Sequence, residues 1–183
     1  MHISHVIHQK SYEKIVHVLR RHPVTFLPKV GFFLILLLVP VAVYLMVRSL
    51  FPTLFSSQII YALVVLAGGI YYLSTIIFFY TQFTIFYLDL WIVTNDRIVD
   101  IEQLGLFSRT VSELDLYQIQ DVTTQVHGFF PTLLHYGNVE VKTASSNTGI
   151  VFRDVPNPDK LRQDILDLAN NDRFYHQSKA ETT

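Results

Sequence analysis

The spacing of apolar and polar positions changes character along the chain. Residues 30–47, VGFFLILLLVPVAVYLMV, form an 18-residue run without charge between Lys29 and Arg48. As a helix rising about 1.5 Å per residue it reaches roughly 27 Å, close to the ~30 Å hydrocarbon core of a bilayer. Pro40 falls mid-run, where its missing N–H predicts a kink. No charge occurs from Ser49 to Leu88, so turn residues have to delimit the second span. Phe51-Pro52 and Ser56-Ser57-Gln58 mark a tight connection, and the two transmembrane helices are predicted over about 30–48 and 59–80 within a hairpin of residues 29–88. Gly68 and Gly69 sit where the first helix is expected to approach closely. Tyr71, Tyr72, Phe78, Phe79, Tyr80, Phe83, Phe86, Tyr87 and Trp91 crowd the exit, as an interfacial aromatic belt would.

The leader, residues 1–28, reads as a short interfacial helix. Ser11 is placed to cap it, Tyr12, Ile15, Val16 and Leu19 give an apolar stripe, and Pro23 ends it. Lys14, Arg20 and Arg21 would then face anionic headgroups. His2, His5 and His8 recur every third residue and are read as imidazoles of a chain end, not as a metal site.

After Asp89 the period becomes two. LWIVT and RIVDIEQ flank the turn signal Asn95-Asp96, with Val99 and Ile101 alternating against Asp100 and Glu102. FSRTVSELDL follows the Gly105 turn, then IQDVTTQV with Ile119 and Val122 as core positions. An irregular stretch, GFFPTLLHYG, precedes NVEVKTA, in which Val139 and Val141 point inward. Ser145 to Gly149 is turn chemistry, and IVFRDV is the last strand. In PNPDKLRQDILDLAN, Asn157 is placed to cap, Pro158 takes the first helical position, and Leu161, Ile165 and Leu168 share one face. The expected fold class is therefore α+β: a two-helix transmembrane hairpin, a six-stranded antiparallel domain over 89–170 plugged by a terminal helix, and a polar, frayed tail over 171–183.

Charge adds direction. Half the residues are apolar and only 16% are charged, against about 25% in an ordinary soluble domain. From Met1 to Ser56 there are six basic residues and one acid, a net +5; from Asp89 onward there are eight basic residues and fourteen acids, a net −6. The basic side of a span stays in the cytoplasm, so the amino terminus is expected there, and two crossings return the domain to the same side. The expected location is the cytoplasmic membrane, multi-pass, with both termini cytoplasmic. An acidic domain argues against nucleic acid as partner. The absence of cysteine removes disulfides and thiolate metal sites.

The motifs WIVTNDRI (Trp91–Ile98), GLFSRTVSEL (Gly105–Leu114), IQDVT (Ile119–Thr123), YGNVEVKTA (Tyr136–Ala144) and VPNP (Val155–Pro158), with the entry RRHPV (Arg20–Val24), resemble bacterial pleckstrin-homology (PH) domain proteins of the YdbS type over roughly residues 10–170. The resemblance implies a PH-like antiparallel barrel of seven strands with a carboxyl-terminal helix, one strand more than alternation reveals. It implies no activity.

Candidate chemistry is sparse. His127, His135, Asp121 and Glu113 match no metal or triad spacing, and HExxH, GxSxG, GxGxxG and P-loop patterns are absent, so neither enzyme activity nor a cofactor, metal or small-molecule ligand is expected. What remains is a membrane-anchored interaction module whose partners are the lipid bilayer and another protein or further copies of itself. A lipid headgroup sensor, or an accessory subunit of a transport or envelope-stress system, are the alternatives. Arg97 and Arg109 are the weak candidates for headgroup contact. Phe129, Phe130, Leu133 and Leu134 are the candidate interaction surface. Their simplest role is an internal plug of the barrel end; the sharper one is contact with the membrane surface or a neighbouring subunit.

Overall fold

The computed structural model describes residues 10, 12–53, 55, 57–143 and 149–181, with side chains described as far as Phe174. The expectations placed on His2, His5, His8, Ser11 and the turn over 145–148 lie outside these residues. The chain divides into two compact units, Pro23–Phe86 and the combination of Met1–His22 with Tyr87–Thr183.

The first unit is a helical hairpin. A short 3₁₀ turn, Pro23–Phe26, leads into α1 (Leu27–Leu50), and α2 (Gln58–Leu88) returns. Both are long and apolar enough to cross a membrane, with mean hydropathies of 2.8 and 2.1 over their most apolar stretches. Pro40 lies inside α1 and cannot donate to Leu36, four residues earlier. The Tyr71 hydroxyl of α2 donates to that orphaned Leu36 carbonyl at 3.0 Å, and the Tyr72 hydroxyl donates to the Leu37 carbonyl at 3.3 Å. Tyr71 therefore serves the carbonyl that Pro40 leaves without a helical donor, and Tyr72 adds a second bond from α2 to α1 beside it. Phe33 stacks on Phe79 at 4.1 Å, and Phe26 meets Phe79, Phe83 and Phe86. A Cβ added at Gly68 or Gly69 would meet nothing within 4 Å, so the helices do not approach closely there.

Among its described residues the second unit has seven strands. The predicted leader helix is in fact a strand, β1 (Ile15–Leu19), which is the strand that alternation missed. Three β-branched residues in five favour extended backbone, and a partner strand satisfies its hydrogen bonds. That partner, β2 (Leu90–Thr94), lies on the far side of the hairpin, with Leu19 opposite Trp91 and Ile15 opposite Thr94. β3 (Arg97–Gln103) and β4 (Arg109–Asp115) complete a four-stranded antiparallel sheet in the order β1-β2-β3-β4. A 3₁₀ turn, Leu116–Gln118, leads to β5 (Ile119–Gln125), β6 (Tyr136–Thr143) and β7 (Gly149–Pro156), which form a separate three-stranded antiparallel sheet.

Among the described residues no strand bridges the two sheets, so they are not closed into the expected barrel; side chains join them instead. Trp91, Val93, Ile98 and Leu114 of the first sheet share one core with Val122, Val139, Val141, Phe152 and Val155 of the second. The terminal helix α4 (Pro158–Glu181) fills the open side with Leu161, Ile165 and Ala169, and the Arg162 guanidinium donates to the Val122 carbonyl at 2.7 Å. α4 continues well past Asn170, where fraying was expected, because no Gly or Pro interrupts the sequence as far as Glu181. β3 buries both faces: Ile98 joins the main core, while Val99 and Ile101 form a second cluster with Ile92.

Candidate interaction surface

At one end of the four-stranded sheet, the segment before β1 is locked to the turn between β2 and β3. The carboxylate of Glu13 is buried with no exposed side-chain surface. It accepts the Arg97 guanidinium through both oxygens at 2.9 Å, the Thr94 hydroxyl at 3.0 Å and the Lys10 backbone N–H at 3.0 Å. Burial pushes this carboxyl up, but the Arg97 pair and the other donors outweigh it and hold it below the ordinary carboxylate value. Arg97 also reaches Glu113 at 2.6 Å. Lys10 pairs with Asp96 at 2.6 Å, and the Lys14 N–H donates to the Asn95 side chain at 2.6 Å.

The opposite end is where the chain leaves for the hairpin and comes back. Asp89 directly follows α2; its carboxylate pairs with Arg21 at 2.7 Å and accepts the Gln103 N–H at 2.7 Å. Nearby, burial together with the charges of Glu102 and Asp89 pushes the Asp100 carboxyl up to about 6. Glu102 pairs with Arg153 of β7 at 3.1 Å, tying the two sheets together at this end. The His22 N–H donates to the Asp154 carbonyl at 2.7 Å, and the His22 ring stacks on Tyr136 with centroids 5.1 Å apart. The Arg20 guanidinium lies over the Tyr87 ring at 4.8 Å.

The sequence-derived candidates are separated by this geometry. Arg97 and Arg109 stand at opposite ends of the β3–β4 ladder, where Arg97 faces Asp115 and Gln103 faces Arg109. Arg97 is engaged by Glu13 and Glu113, whereas Arg109 is exposed. The stretch read as an irregular loop contains a short helix, α3 (Phe129–Leu134). Gly128 enters it at a φ of 111°, Pro131 sits in the first turn where an N–H has no helical acceptor, and His135 leaves it in left-handed backbone at 53°. Its apolar side chains are not an internal plug: Phe129 is 75% exposed, Phe130 64%, Leu133 60% and Leu134 38%. Sequence reasoning overlooked the β3–β4 loop, where Leu104 and Leu106 are exposed and Phe107 is 99% exposed. A three-in-four apolar run at a glycine turn was the available signal. Among the described residues no group of three or more His, Asp or Glu is arranged to hold a metal ion.

β4 offers a different kind of surface. It pairs with β3 alone among the described residues, and Arg109 through Glu113 are exposed on both faces. An edge of this kind carries unpaired backbone donors and acceptors.

A four-stranded and a three-stranded antiparallel sheet, packed on one core and covered by a terminal helix, define a PH-like domain. The bacterial PH domain family matches residues 24–169, so this chain belongs to that family. The match begins after β1 and takes in the whole hairpin. A crystal structure of a DUF1696 family protein with a pleckstrin-homology domain, from Shewanella loihica PV-4, is similar over 46% of this chain and 70% of that one, at 15% identity and a TM-score of 0.35, too remote to add to the argument. No curated protein matches the chain.

Proposed function

We propose that this protein is a membrane-anchored PH-domain adaptor of the YdbS type, spanning the cytoplasmic membrane twice with the domain and both termini on the cytoplasmic side, and without catalytic activity of its own. The pairing of β1 with β2 carries this reading. Because Leu19 lies opposite Trp91, the chain leaves the sheet and re-enters it at adjacent positions. A segment that starts and finishes at one sheet crosses a bilayer an even number of times, in keeping with two spans. Lipid as the solvent for these helices is supported by their exposed apolar surface: Leu38, Met46, Ile59 and Leu66 all stand open, as no water-soluble hairpin could sustain. The basic leader favours the cytoplasmic orientation.

The domain then acts by presenting the open edge of β4 for strand addition by a protein partner or a second copy. Headgroup recognition at the β2–β3 turn is the weaker reading, since Arg97 is committed to Glu13 and Glu113 and the domain is acidic. The test is cross-linking in native membranes, followed by mild-detergent purification and mass spectrometry, on the wild type and on Val111→Lys, which places a charge on the β4 edge. A membrane-retained wild type that captures a defined partner, with capture lost in V111K, supports the adaptor. A protein that washes off membranes in alkaline carbonate, or that stays monomeric and partnerless, sinks it.

A further inference from the structure

The end of the PH-like domain where the hairpin departs carries two separate exposed apolar prominences. One is the β3–β4 loop with Leu104, Leu106 and Phe107; the other is α3 with Phe129, Phe130 and Leu133. Their position follows from hydrogen bonds within the domain. Gln103, the residue before the loop, donates to Asp89, the residue after α2. Tyr136, which opens β6 just beyond α3, stacks on His22, the residue before the hairpin begins. The strand ends that carry both prominences are therefore tied to the two points at which the chain passes to its spans. Each has a cation beside it: Arg109 follows the loop, and Lys160 lines a recess with Pro131 and Thr132 of α3. Two of the acids at this end are paired, Asp89 with Arg21 and Glu102 with Arg153; burial holds Asp100 toward its neutral form, and Asp159 shares the recess with Lys160.

Apolar tips with flanking cations, held at the membrane end of a rigid sheet, are suited to the acyl–headgroup boundary, where rings and aliphatic chains leave water while basic groups stay at phosphate level. We propose that the Leu104–Phe107 loop and α3 are wedges that insert into the cytoplasmic face of the bilayer, seating the PH domain on lipid at two points beyond its spans. The proposal rests on the membrane-spanning reading. It differs from headgroup recognition in needing no specific lipid.

The absence of native cysteine makes the test direct. Full-length protein carrying one spin label, at Phe107→Cys, Phe130→Cys, Lys142→Cys, Leu38→Cys or Leu66→Cys, is reconstituted into phosphatidylcholine–phosphatidylglycerol vesicles. Collision with oxygen and with a water-soluble nickel chelate is then measured. Labels at 38 and 66 report on the spans, and the label at 142, far along β6 from Tyr136, reports on water. Insertion predicts that 107 and 130 gain oxygen collisions and lose nickel collisions relative to 142. Labels at 107 and 130 that behave like 142, while 38 and 66 read as lipid, overturn the wedges and leave the spans standing. Loss of both collision types at 107 and 130 overturns the proposal in favour of a protein contact. Water-like behaviour at 38 and 66 refutes the membrane-spanning reading itself.

Discussion

Replacing Glu13 by Gln keeps the size of the side chain and removes its charge. In the native domain that carboxylate has no exposed surface and holds Arg97 through both oxygens, while Thr94 and the Lys10 N–H also donate to it. Breaking one partner out of a buried ion pair costs about 3–5 kcal/mol. Here Glu113 keeps one nitrogen of Arg97 satisfied and the amide oxygen still accepts one bond, so about 2–3 kcal/mol is expected for E13Q. The assay is built into the fold. Trp91 is the sole tryptophan, is buried, and lies opposite Leu19 of β1, so its emission follows the docking of β1 during urea denaturation in micelles. The sign with pH is fixed by the direction of the shift. A carboxyl held below its ordinary value stabilises the fold above that value and loses its effect as pH falls through the folded value. The gap between wild type and E13Q should thus be widest near neutrality and close as pH falls below about 4. A gap under about 0.5 kcal/mol at pH 7, the level of an ordinary surface change, would refute the reasoning, as would one indifferent to pH.

Three other substitutions test separate parts of the structure. Tyr71→Phe removes the donor that serves the Leu36 carbonyl and should cost about 0.5–1.5 kcal/mol in micelle thermal denaturation; in a Pro40→Ala background, where a backbone N–H returns, the same change should cost less, and equal costs would deny the repair. Gly137→Ala puts a Cβ 2.8 Å from both the Gln125 carbonyl oxygen and Val126 Cγ2, so a loss of about 1–3 kcal/mol is expected by urea denaturation. Asp100→Asn should act in the opposite sense. Its carboxyl is raised to about 6, so ionisation costs the fold stability as pH rises through that value, and the amide should gain about 1 kcal/mol at pH 7 after allowance for partial exposure, and nothing below about pH 4.

Local pattern revealed what depends on local physics. Alternation along NVEVKTA located a strand because one side of it meets the core, the short apolar runs in LWIVT and RIVDIEQ located strands buried on both faces, and the apolar spacing of Leu161 and Ile165 located α4. β1 was hidden for a definite reason. Ile15, Val16 and Leu19 fit a helical stripe equally well, and the strand that decides between the two lies beyond the hairpin. Arg97 shows the same limit: the chain alone offers it as a weak headgroup contact, because its governing partner, Glu13, is remote in sequence. The bond made by Tyr71 was hidden too, because nothing near it in sequence announces the carbonyl that Pro40 leaves open. The apolar residues of α3 were visible as a cluster, but whether they face in or out depends on how two sheets meet, which no window of sequence contains.

Placing the hairpin inside the sheet also orders events during synthesis. β1 emerges from the ribosome early and has no mate until β2 follows, so the sheet waits for both helices to be made. Cutting the chain just after Leu88 would yield a fragment with β2 as a bare margin and the indole of Trp91 stripped of its neighbour Leu19. A water-soluble version of the domain therefore has to splice the Lys10–His22 segment directly ahead of Asp89.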